Sequence, residues 1–150
     1  MEGTVNDNRF VVRTKLGRFA AYGLLGWCAE VLFTGIHDYV RDRDNRLPSR
    51  SSIWMFPVYG LLSPLYEPLH DAVRDLPVPA RATAYALGLM GVEYSSGVVF
   101  RRMLGQAPWD YSYARRHIQG LVRPDYFPLW AAFGLALEPV HDILTGRRPA

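Results

Sequence analysis

Apolar residues in this chain gather into four stretches, 19–36, 53–70, 82–100 and 126–144, separated by polar segments rich in arginine. Each is about 18 to 20 residues long, which at ~1.5 Å of helical rise per residue spans roughly the 30 Å of a bilayer's hydrocarbon core. Small and polar residues recur along each stretch at helical spacing, with large apolar residues around them. The stripes are Gly23, Gly26, Glu30, Thr34 and His37; Gly60, Ser63, Glu67, His70 and Arg74; Ala86, Glu93, Ser96 and Gly97; and Ala131, Gly134, Glu138, His141 and Thr145. That pattern inverts the soluble amphipathic helix and suits the interior of a membrane bundle. The expected fold is all-α, a single integral membrane domain of four spans with up-down topology, and a soluble four-helix protein is the alternative.

Proline refines the picture. Pro57, Pro64 and Pro68 interrupt the second stretch, and Pro128 and Pro139 the fourth. Proline inside a membrane helix frees a carbonyl and bends the axis, so the second helix is expected to be kinked or partly broken. The connections 38–52 and 104–125 are long and share one face; the short connection 71–81 shares the other with the termini. Lys and Arg divide almost evenly between the two faces, so the positive-inside rule assigns no orientation. Residues 1–18 are polar and carry no apolar region followed by a small-residue cleavage site, which leaves the first helix as its own insertion signal.

Each stretch contains one glutamate, and a carboxylate at membrane depth costs several kcal/mol unless it is paired, protonated or turned to a polar interior. Along the chain the order is Glu30, then Glu67-Pro-Leu-His70, then Glu93, then Glu138-Pro-Val-His141. Ferritin-like dinuclear bundles use this inventory, because a Glu and a His at i and i+3 leave one helix face together and reach the same metal pair. The expected ligands of such a centre are Glu30, Glu67, His70, Glu93, Glu138 and His141, the metal iron or manganese, and the open chemistry oxygen-dependent oxidation of a lipid-soluble substrate. Two other readings stand beside it, a permease-like component that uses the carboxylates as a proton or cation relay and a polar core that only fixes helix register. Counted along ideal helices, Glu30 and Glu93 lie ~18–20 Å from the terminal face and Glu67 and Glu138 ~10–12 Å, which fits one site or two layers.

Composition adds less. The formal net charge is +3. Without a basic helix face or interleaved aromatic and basic residues it fits anionic lipid headgroups better than nucleic acid, and ordinary solvated loop arginines equally well. Cys28, the single cysteine, is expected to pack in the core. Trp54 and Trp130 read as interfacial belt residues, Asp71 and Asp142 as solvated or as support for the neighbouring histidines, and His117 as exposed. Asp110 is placed to turn the chain through its side chain. No Gly-rich phosphate loop or Walker motif is present.

The segments Gly26-Trp-Cys-Ala-Glu-Val-Leu-Phe-Thr34, Ser52-Ile-Trp-Met-Phe-Pro-Val-Tyr-Gly60, Glu93-Tyr-Ser-Ser-Gly97 and Pro108-Trp-Asp-Tyr-Ser112 resemble the transmembrane protein 229 family and the related bacterial CmpB-like "putative ABC-transporter type IV" proteins. The resemblance runs from about Leu24 to Leu144. It implies a multi-pass membrane protein; the expected location is a bacterial or archaeal cell membrane, with membrane lipids as its surroundings.

Overall fold

A computed structural model describes residues 11–147, and the polar start of the chain expected to lack a signal peptide lies largely outside them. The described residues form four helical rods and no β-strand beyond an isolated bridge between Ile118 and Val122. Helix α1 runs over Lys15–Asp42. The second rod is broken into α2 (Met55–Gly60), a π-helical turn (Leu62–Tyr66) and α3 (Glu67–Val73). Helix α4 covers Val78–Leu104, and α5 covers Phe127–Thr145 after a single 3-10 turn at Pro124–Tyr126.

Local chemistry sets these boundaries. Thr14 caps α1 by accepting from the Gly17 N–H at 3.0 Å, and Pro79 occupies the first turn of α4, where its missing N–H costs nothing. Gly105 and Gly146 close α4 and α5 in the left-handed conformation that glycine adopts without strain. The break in the second rod follows from Pro64 and Pro68, which donate no hydrogen bonds to the helix ladder. The Glu67 N–H therefore slips to the Leu62 carbonyl, one residue further than an α-helix allows.

Among the described residues one helix, α1, is long and apolar enough by itself to cross a membrane. The other rods fall short of that measure for reasons visible in the chain: the second is cut into short pieces, α4 is diluted by Glu93 with Tyr94, Ser95, Ser96 and Gly97, and α5 by Glu138, Pro139, His141 and Asp142. The four expected spans are all helical, and each helix overruns its apolar stretch at one end or both.

Burial is distributed inside out. Leu32, Ile36 and Val40 on α1 and Leu87 on α4 are each 60% exposed or more, whereas Glu67, His70, Glu93, Ser96, His141 and Asp142 are buried. Cys28, expected inside, is exposed on α1, because the inner face of that helix is taken by Tyr22, Gly23 and Gly26. The core is built on Tyr22, Leu62, Tyr66, Tyr85, Leu89 and Leu137, and Tyr66 donates to the Gly134 carbonyl at 2.7 Å. Glycine is required where rods touch: a Cβ at Gly26 would collide with the Tyr59 ring, and one at Gly134 with Tyr85.

Set in register, the two helical hairpins repeat each other. Arg18, Tyr22 and Glu30 on α1 recur at the same spacing as Arg81, Tyr85 and Glu93 on α4, and the starts of the two helices, Lys15 and Val78, correspond as well. Phe56-Pro-Val-Tyr59 matches Phe127-Pro-Leu-Trp130, and Glu67-Pro-Leu-His-Asp71 matches Glu138-Pro-Val-His-Asp142, again at one spacing. The contacts repeat too. Arg18 binds Glu67 and donates to the Val12 and Arg13 carbonyls, while Arg81 binds Glu138 and donates to those of Arg74 and Leu76. Each copy contains an even number of rods, so both hairpins run in the same sense and a pseudo-twofold axis lies along the bundle.

Candidate functional site

Matched pairs of polar residues from the two copies lie inside the bundle, and they form two groups. The first lies toward the chain termini. Glu67 accepts from Arg18 Nε at 2.7 Å and Nη2 at 3.0 Å, a fork geometry that satisfies both oxygens. Glu138 meets Arg81 Nε at 2.9 Å and accepts from the Tyr85 hydroxyl at 2.8 Å. These two carboxylates are thus neutralised by the arginine opening the helix before them.

Beside them, His70 and His141 stand ring to ring, 4.6 Å between centroids, and the ligand atoms of His70, His141 and Asp142 lie within 4.8 Å of one another. His70 Nδ1 is 2.7 Å from the Tyr85 hydroxyl, which already spends its proton on Glu138. Nδ1 must then be the donor, and in a neutral ring Nε2 carries a lone pair. That Nε2 is buried, has no hydrogen-bond partner among the described residues, and faces Asp142 Oδ1 at 4.0 Å. The relation is reciprocal across the axis, since His141 Nε2 lies 3.9 Å from Asp71 Oδ1. Asp71 is in turn paired with Arg147, so the polar environment differs between the two copies.

The second group surrounds a cavity of about 410 Å³ nearer the long loops. Its walls are matched across the axis: Glu30 with Glu93, Ala29 with Val92, Met55 with Tyr126, Val58 with Leu129, Tyr59 with Trp130 and Leu62 with Phe133. Glu93 is 8% exposed and accepts from the Tyr111 hydroxyl at 2.9 Å through Oε1, while its Oε2 and that of Glu30 are buried with no hydrogen-bond partner among the described residues. Burial, with the Glu93 carboxylate beside it, raises the Tyr111 hydroxyl above its ordinary range, so it remains a donor. Tyr111 reaches inward because Asp110 turns the loop, accepting from the Ser112 N–H at 2.9 Å and its hydroxyl at 2.6 Å, and Trp109 pins the turn by donating to the Leu121 carbonyl. The two bonds from Ser112 hold the Asp110 carboxyl below the usual carboxylate range.

The sequence profile of the family described as "Putative ABC-transporter type IV" matches residues 18–147. The chain belongs to this family. Comparison with curated proteins and with solved structures finds no match. The matched region begins at Arg18 and ends at Arg147, and so takes in both hairpins, the cavity and the histidine pair.

The structure therefore divides the six ligands expected of a dinuclear centre. Glu30 and Glu93 line the cavity, Glu67 and Glu138 are held by arginines, and His70 and His141 meet beside Asp142. A single gathering of all six is not what the backbone produces, because each i, i+3 motif presents its Glu to the arginine of the preceding helix and its His to the axis. Of the two expectations for Asp142, solvation or support of its neighbouring histidine, the structure has the second: it is buried with Oδ1 3.4 Å from His141 Nδ1. Trp130, expected in the interfacial belt, belongs to the cavity wall, whereas Trp54 is exposed and packs on Phe100. His117 is exposed as expected. Sequence reasoning overlooked Arg18, Arg81, Tyr85 and Tyr111; the repeated spacing from each arginine to the glutamate on its helix was the available signal for the first two.

Proposed function

We propose that the chain is a multi-pass membrane protein acting as a permease-like component, in which Glu30 and Glu93 form the binding point of a transported cation. The inside-out burial supports a membrane setting for all four rods: polar groups turn to the axis and large aliphatic side chains to the outside, as lipid requires. The lipid bilayer of a bacterial or archaeal cell membrane is the proposed location. The observation that carries the reading is two carboxylates, one from each copy of the repeat, that line one cavity and each hold a buried oxygen without a hydrogen-bond partner among the described residues. Such oxygens call for a proton or a counter-charge, and a site on a repeat axis is where transporters built from parallel repeats place their substrate. Cation uptake into liposomes containing the purified protein tests it, with Glu30→Gln and Glu93→Gln as the inactive forms.

The second reading is a metal centre, and the His70–Asp142 approach favours it. Two acceptors facing each other in a buried site leave room for a cation or a proton between them. The Tyr85–Glu138 chain on His70 Nδ1 is the kind of support that orients a ligating imidazole. The donor set is two imidazoles and one carboxylate, which suits a single transition-metal ion such as iron or manganese better than a dinuclear centre. There the ion would act as a Lewis acid or redox centre toward a lipid-soluble substrate. Elemental analysis of detergent-purified protein is expected to find about one iron or manganese per chain, reduced at least tenfold in His141→Ala. Metal-free protein, or metal retained in that variant, would remove the second reading and leave the first intact.

A further inference from the structure

We propose that the cavity between Glu30 and Glu93 is a binding site for an organic ammonium cation, held by the two carboxylates and an aromatic cage. The inference rests on the permease reading and names its substrate class.

The lining decides the class. A hard metal ion takes about six to eight oxygen ligands. This cavity is instead mostly apolar, with Tyr59, Tyr111, Trp130 and Phe133 beside the two acids. At about 410 Å³ it is far larger than a bare ion needs and falls within the ~300–1,000 Å³ typical of small-molecule pockets. Aromatic faces attract a cation whose charge is spread over alkyl groups, and they do so most strongly where water is excluded. Carboxylate oxygens without partners supply the charge that such a cation neutralises, and they oppose an anion. The charges at the mouth are mixed: Asp38 and His37 stand beside Arg50 and Arg41, and Arg41 is engaged by Asp42. The pseudo-twofold axis adds a requirement, since Glu30 and Tyr59 from one copy and Glu93 and Trp130 from the other contribute alike.

The test is direct binding of benzyltrimethylammonium to the full chain in detergent, followed by titration calorimetry and by tryptophan fluorescence, to which Trp109 and Trp130 at the cavity report. Saturable binding is expected, weakened at least tenfold in Glu30→Gln, in Glu93→Gln and in Trp130→Ala, and unchanged in Cys28→Ser on the outer surface. The two glutamine variants lie on different helices, so misfolding of one, detected by size-exclusion chromatography, leaves the other to decide. No saturable binding, or binding indifferent to both glutamine substitutions, would overturn the proposal. Ammonium binding without any transport supports this site and counts against the permease reading; sodium or proton transport without ammonium binding does the reverse.

Discussion

Glu30→Gln and Glu93→Gln are each expected to lower cation uptake into liposomes on the order of 100-fold, which corresponds to ~2.7 kcal/mol of barrier. The size follows from the setting. A cation leaving water for an apolar cavity loses its hydration, and in a low-dielectric interior a carboxylate a few ångströms away is the main compensation. Near-equality is the more telling part of the prediction. The two residues occupy matched positions on α1 and α4 and line one cavity, so each is expected to carry a comparable share of the charge even though Glu93 alone is held by Tyr111. Glu67→Gln and Glu138→Gln are expected to reduce the yield of folded protein instead, since each leaves an arginine without its partner. Uptake that survives both cavity substitutions, or that responds only to Glu67 and Glu138, would place the pathway elsewhere.

The second large effect concerns those arginines. Arg18→Met and Arg81→Met are each expected to destabilise the bundle by about 2–3 kcal/mol, less than the ~3–5 kcal/mol of a fully buried pair, because breaking one side of a part-buried ion pair leaves an uncompensated charge. Side-chain exposures of 13% and 10% for Arg18 and Glu67, and 19% and 20% for Arg81 and Glu138, place both pairs well below the surface regime in which ion pairs contribute little. Replacing both partners, as in Arg18→Met with Glu67→Met, is expected to recover most of the loss, because two apolar groups carry no desolvation penalty. Unfolding of the purified protein in mixed micelles by sodium dodecyl sulfate measures this. A double variant as unstable as the single one would show that the pair does more than cancel charge.

Much of the fold was legible in the chain. Large apolar residues and small or polar ones segregate at helical spacing, which marked all four rods, and proline chemistry located the break that becomes the π-helical turn at Leu62–Tyr66. The glutamates and the two Glu-Pro-x-His-Asp motifs were also visible. Their grouping was not, for a physical reason. A carboxylate's partner is chosen by which neighbouring helix brings a donor to its depth, and Arg18 and Arg81 sit at helix starts that read as ordinary interfacial charges. Tyr111 enters from a loop whose path depends on the Asp110 turn and the Trp109 anchor, and local sequence carries no measure of that path. Trp130 shows the same limit: an amphipathic ring near a helix end fits both the headgroup layer and a cavity wall, and only its match with Tyr59 separates the two.

The central claim is that Glu30 and Glu93 face one water-accessible chamber while the opposite faces of their helices contact lipid. Thiol accessibility tests it most directly, using single cysteines at positions 30, 93 and 32 in a Cys28→Ser background reconstituted in liposomes. The account predicts that Glu30→Cys and Glu93→Cys react with a membrane-impermeant, trimethylammonium-bearing thiol reagent, while Leu32→Cys, which is 65% exposed on the outer face, reacts only with a lipid-soluble maleimide. Rapid reaction of Leu32→Cys with the charged reagent, with positions 30 and 93 inert, would contradict it.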